Sequence, residues 1–112
     1  MLYTAIALFS LAAILGMILI SFVLQNKSTP KGLAFTHGGL AAAGIILLIT
    51  YSFGNTPAPF ASLVLFIMAA LGGFTLIYKD LTGNPVPKLL AIGHGLTAVA
   101  GFTFLLIFTF LR

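Results

Sequence analysis

Two histidines, His37 and His94, are the side chains of this 112-residue chain that are best suited to chemistry. Each lies inside a long apolar segment and begins a run of small residues, HGGLAAAG in the first case and HGLTAVAG in the second. An ionisable side chain inside a membrane helix is costly and is retained mainly where it has a function. Imidazole is also the commonest metal ligand in proteins. Two histidines at matching depth therefore predict a ligand site.

The donor set of the chain restricts which metal such a site could bind. Structural zinc takes four protein ligands and catalytic zinc takes three, but this chain has no cysteine and only one carboxylate, Asp80. Haem brings four equatorial nitrogens of its own and needs only two axial ligands from the protein. The sequence therefore predicts one haem b (protohaem IX), with His37 and His94 as the ligands of its iron.

Small residues and one lysine accompany each histidine and could complete a haem site. The small residues lie along the helix after the histidine, where they would leave room for a flat macrocycle, although they also suit close helix packing. Each lysine lies six residues before its histidine and could neutralise a propionate, although it could also serve only to orient the chain in the membrane. The predicted cofactor-binding residues are Lys31, Gly38, Ala41 and Gly44 in the first segment and Lys88, Gly95, Ala98 and Gly101 in the second.

The composition predicts an integral membrane protein, because 61% of the residues are hydrophobic and only six are charged. About 20 apolar residues cross the hydrocarbon core, and four stretches reach that length, at 2–24, 33–53, 60–78 and 89–111. The connections between them are short, so neighbouring helices must be antiparallel. We expect an all-α membrane protein that forms a four-transmembrane-helix up-down bundle, with residues 1–112 as a single transmembrane domain.

The two halves of the chain resemble each other. When residues 1–55 are aligned with residues 58–112 at a constant offset of 57, without a gap, 19 of the 55 pairs are identical. The identities include both histidines and most of the small residues around them. This pattern predicts two tandem two-helix repeats, inserted in the same direction and related by a pseudo-two-fold axis along the membrane normal.

Basic residues predict the orientation of the bundle. Lys27 and Lys31 belong to the first connection, Lys79 and Lys88 to the third, and the second connection has no charge. By the positive-inside rule, connections one and three lie in the cytoplasm and both termini lie outside, as expected for a protein of the bacterial inner membrane. These four lysines and Arg112, less Asp80, give the net charge of +4. The lipid bilayer is thus the expected partner, and no nucleic acid is implied.

In topology and in its two His-Gly motifs, HGGLAAAG and HGLTAVAG, the chain resembles the four-helix membrane b-type cytochromes. Diheme members of that group have two histidine pairs, whereas this chain has one. The resemblance implies a haem-binding electron carrier. Ligation by two histidines leaves no open iron position, which favours electron transfer or haem handling over oxygen activation. Exchange with quinone, a soluble reductant or a haem-delivery partner is then expected; if the protein is an enzyme, it is an oxidoreductase.

Two other functions fit the same residues. A small transporter or channel could use the paired histidines to relay protons or bind a substrate. A structural or assembly subunit could use them only for hydrogen bonds between helices. The ligand pair itself has two possible arrangements, because His37 and His94 could meet within one chain or across the interface of a homodimer.

Overall fold

The computed structural model describes residues 1–111, which form four α-helices joined by short connections. Each helix is long and apolar enough to cross a membrane. The molecule measures 44 × 21 × 19 Å, and a bilayer with its headgroup regions is about 40–45 Å thick. The sequence-based segments end within three residues of the observed helices, so the prediction of four helices is confirmed. These are α1 Leu2–Leu24, α2 Lys31–Gly54, α3 Phe60–Leu81 and α4 Lys88–Phe110.

Prolines mark the starts of three helices, and residues with a left-handed backbone conformation follow the ends of two. Helices α2, α3 and α4 each begin directly after a proline, at Pro30, Pro59 and Pro87, and proline is tolerated there because the first amides of a helix have no intrahelical partner. Beyond the ends of α1 and α3, the chain turns through Asn26 (φ 57°) and Gly83 (φ 76°). Asparagine and glycine are the residues that adopt this left-handed conformation most readily.

The helices pack mainly in sequential pairs. Helix α1 packs most extensively on α2, and α3 on α4, while smaller contacts join α1 to α4 and α2 to α3. Helices α1 and α3 therefore lie across the centre from each other, as do α2 and α4. Side chains near the middle of the bundle meet across these diagonals.

A stacked pair of phenylalanines forms the centre of the core. The rings of Phe9 and Phe66 lie 3.9 Å apart and only 4° from parallel. Each ring fits against a glycine of the helix beside it, since a methyl group added at Gly44 would lie 2.7 Å from Phe9, and one at Gly101 would lie 3.3 Å from Phe66. The space beside these two glycines is therefore occupied by phenylalanine. The buried cluster consists of Ala5, Phe9, Leu48, Phe66 and Leu105.

Candidate ligand site at the histidine pair

The structure brings the two histidines together at the centre of the bundle. Their ring centroids lie 6.1 Å apart and their planes are nearly perpendicular, at 81°. His37 comes from α2 and His94 from α4, each about two turns from the start of its helix, and both side chains are half-buried. The pair lies within one chain in this arrangement, with one imidazole contributed by each half of the sequence.

Backbone carbonyl groups determine the tautomer of both rings. Nδ1 of His37 lies 2.7 Å from the carbonyl oxygen of Ala12, and Nδ1 of His94 lies 2.7 Å from that of Ala69. A carbonyl oxygen can only accept, so each Nδ1 must carry the hydrogen and donate it. In the neutral ring Nε2 then holds a free lone pair. A metal-binding histidine is usually oriented by a hydrogen bond of this kind from its other nitrogen.

Glycines on the neighbouring helices make these hydrogen bonds possible. In an α-helix the carbonyl of residue i points toward residue i+4, so Gly16 stands beside the Ala12 carbonyl and Gly73 beside that of Ala69. A methyl group added at Gly16 would lie 2.9 Å from Cε1 of His37, and one at Gly73 would lie 3.1 Å from Cε1 of His94. Because glycine has no side chain, each ring can reach the backbone of the helix before it.

Sequence reasoning did not assign these positions to the site. Ala12, Ala69, Gly16 and Gly73 are identical pairs across the two halves, and each glycine precedes its histidine by 21 residues. That constant spacing was the available signal. It did not reveal the contact, because small residues at matching positions indicate close packing equally well.

The other predicted site residues lie in several environments. Gly38 and Gly95 follow the histidines but face open space, with no atom within 4 Å of an added methyl group. Ala41 and Ala98 are half-buried one turn further along their helices. Lys31 forms an ion pair of 2.7 Å with Asp80. Lys88 is exposed at the start of α4.

The spacing of the rings suits a metal bound from two sides. Two imidazoles on opposite sides of one ion, with metal–nitrogen bonds of about 2 Å, would hold their ring centres about 6 Å apart. Within residues 1–111, no group of three or more His, Cys, Asp or Glu side chains lies close enough to hold a metal ion. The pair can therefore complete the coordination of a metal that brings further ligands with it.

A planar group centred between the histidines would have the phenylalanine stack on one side. Gly44, against which Phe9 packs, follows His37 by seven residues, or about 10 Å along the helix. Lys31 precedes His37 by six residues and lies toward the other end of the bundle. Along the helices, the phenylalanine stack therefore lies about two turns from the histidines on one side, and the charged residues lie on the other side.

The fold and site together define a class, that of four-helix chains apolar enough to span a membrane, with paired histidines at the centre. Comparisons with protein-family models, with curated proteins and with solved structures found no match to this chain. The functional argument therefore rests on the residues and their geometry.

Proposed function

We propose that this protein binds one haem b in the membrane, with His37 and His94 as the two axial ligands of the iron. The observation that carries the proposal is the neighbouring pair of imidazoles, with centroids 6.1 Å apart and planes at 81°, in which each Nδ1 is held by a carbonyl oxygen. Both rings are thereby oriented, and both Nε2 lone pairs remain for a ligand. Nitrogen lone pairs held in this way bind an electron-poor centre such as a metal.

Haem accounts for the donor set better than a bare ion does. Two nitrogens leave zinc or another small ion short of ligands, and the single carboxylate of the chain, Asp80, is already paired with Lys31. When bound, haem would supply the remaining four nitrogens itself. The protein would contribute two axial imidazoles, an apolar wall and positive charge toward the membrane boundary.

Within this proposal, the bundle has up-down topology and arose by duplication of a two-helix unit. The structural features at an offset of 57 support that origin. The hydrogen bond from His37 to Ala12 recurs as that from His94 to Ala69, and the left-handed residue Asn26 recurs as Gly83. Duplication would explain how one histidine per unit became a ligand pair.

The function that follows is electron transfer or haem handling in the bacterial inner membrane. With both axial positions filled by histidine, the iron would have no free site for oxygen, so it would exchange electrons without binding a substrate. By the positive-inside rule, the lysines favour a cytoplasmic location for connections one and three. The histidines would then lie nearer the cytoplasmic side, within reach of quinone, a soluble reductant or a haem-delivery partner.

Titration of the purified apoprotein with haem tests the proposal. The wild type should give the absorption spectrum of low-spin iron with two axial histidines, at one haem per chain. His37→Ala and His94→Ala should each lose that spectrum. Thr36→Ala is the matched control, because Thr36 is exposed next to His37 and bonds only to its own helix. A six-coordinate spectrum retained by both histidine variants would refute the assignment.

A structural role for the histidines is the second candidate, and the Nδ1 hydrogen bonds favour it. Each bond ties a histidine to the backbone of the preceding helix, which would stabilise the hairpin without any ligand. The same titration separates the two candidates. If the pair is purely structural, added haem should give no low-spin spectrum with two axial histidines, and each alanine variant should lose about 1 kcal/mol of unfolding free energy.

A further inference from the structure

The two predicted lysine sites differ in their surroundings, although the lysines are equivalent in the repeat. Lys31 donates to Asp80 at 2.7 Å and to the backbone oxygen of Thr29 at 3.1 Å. The hydroxyl group of Thr29 also donates to Asp80. We call Thr29, Lys31 and Asp80 the polar cluster. It joins the start of α2 to the end of α3.

The other half of the chain has no such cluster. At an offset of 57 the partner of Lys31 is Lys88, but the partners of Thr29 and Asp80 are Val86 and Val23. Neither valine side chain can accept a hydrogen bond, so the other half lacks the carboxylate and hydroxyl partners of the polar cluster. Within residues 1–111 no ion pair involves Lys88, and its side chain is exposed. Lys31 and Lys88 therefore have equivalent positions in the sequence. The charge of Lys31 is neutralised by Asp80, whereas the charge of Lys88 has no ion-pair partner among the described residues.

We propose that Lys88 alone binds an acidic group of the ligand, and that Lys31 holds α2 to α3 and does not contact the ligand. This inference rests on the proposed function and assigns the carboxylate-binding residue of that site. Lys88 precedes His94 by six residues, about 9 Å along the helix, on the side where charge can approach water. A carboxylate near the hydrocarbon boundary requires a counter-charge.

The free lysine should also make the two propionates of a bound haem unequal. A haem has its two propionates on one edge, and only one of the two equivalent positions offers an uncompensated ammonium group. An acidic group that approached Lys31 would have to displace Asp80, which already has two donors. One propionate should therefore pair with Lys88, while the other should have no lysine partner.

Affinities for haem and for its dimethyl ester, measured on the purified protein, test this assignment. The wild type should bind the ester about fivefold more weakly than haem, the size expected of one interfacial ion pair. Lys88→Met should bind both forms equally. Lys31→Met should keep the fivefold preference and lose thermal stability instead. Lys27→Met, which removes an exposed charge from the first connection, should change neither property.

The repeat supplies a second pair of variants. At the offset of 57, Val23 is the equivalent of Asp80, so Val23→Asp should give Lys88 the kind of carboxylate partner that Asp80 gives Lys31 and abolish the preference for haem over the ester. Asp80→Val frees Lys31, so both propionates should then have a lysine partner, and the preference for haem over the ester should increase. A preference that survives in Lys88→Met, or disappears in Lys31→Met, would overturn the assignment to Lys88. If neither haem form gives the two-histidine spectrum with the wild type, the proposed function itself fails, and the assignment fails with it.

Discussion

At the scale of single residues, the site depends on backbone carbonyl groups rather than on polar side chains. The chain has one carboxylate, and it lies far along α3 from Ala69, so no acidic side chain is available to orient the histidines. A helix carbonyl can serve instead where the residue four positions later has no side chain. Gly16 and Gly73 meet that condition beside Ala12 and Ala69. The small residues near the histidines thus have different tasks, and only some of them contact the rings.

Alanine at Gly16 should disturb the site, whereas alanine at Gly38 should not. The added methyl group at Gly16 would lie 2.9 Å from Cε1 of His37, so the ring must move and its bond to Ala12 should weaken. We expect about fivefold weaker haem binding from the loss of one hydrogen bond. Gly38→Ala meets no atom within 4 Å and should leave binding unchanged. Haem titration measures the affinity of both variants. Equal affinities of Gly16→Ala and Gly38→Ala for haem would show that the contact between Gly16 and His37 is unimportant for binding.

At the scale of the helices, the ends of α1 and α3 are more alike than their sequences. Asn26 and Gly83 are different residues, but both are left-handed, and the same backbone bond follows each, from Lys27 to Phe22 and from Asn84 to Lys79. Both residue types relieve the steric cost of this conformation, so either can end the helix. Comparison of residue identities alone misses this equivalence.

The phenylalanine stack should be the main stabilising contact between α1 and α3. Phe66 is 5% exposed and lies face to face with Phe9, so Phe66→Ala would leave a cavity in the core and should cost about 3 kcal/mol. Phe74→Ala is the control on the same helix, because Phe74 is 69% exposed and should be close to neutral. Unfolding of both variants in mixed detergent micelles measures the difference. Similar losses for the two would mean that the stack contributes little.

At the scale of the whole molecule, the four lysines are gathered at one end of the bundle. Lysines at 27, 31, 79 and 88 all lie in or beside the first and third connections, while the second connection has no charge. The polar cluster lies at the same end and joins the two halves of the chain there. The opposite end contains most of the buried apolar cluster. This polarity is the basis for placing the first and third connections in the cytoplasm.

Cysteine labelling should establish that orientation directly, because the chain has no cysteine of its own. Asn55→Cys lies in the second connection and should react with a membrane-impermeant maleimide on intact spheroplasts. Ser28→Cys lies in the first connection and should react only after the membrane is permeabilised. Both positions are exposed, so accessibility within the protein does not bias the comparison. The reverse labelling pattern would invert the proposed topology.

Much of the fold could be predicted from the sequence, whereas the details of the site could not. Length and apolar composition define the four helices, and His37 and His94 hold the same position, the seventh residue, in α2 and α4. The partners of the rings were beyond prediction, because a backbone carbonyl has no residue type to mark it. Which glycines face His37 and which face Phe9 depends on the rotation of each helix about its axis, and small residues are spread over several faces. The pairing of Lys31 with Asp80 likewise required the relative placement of α2 and α3.

The absorption spectrum of the protein purified from haem-replete membranes, oxidised and then reduced, tests the central claim most directly. The account predicts a red protein with a sharp Soret band and split visible bands on reduction, at one haem per chain. A colourless protein, under conditions in which a known b-type cytochrome from the same membranes retains its haem, would contradict it.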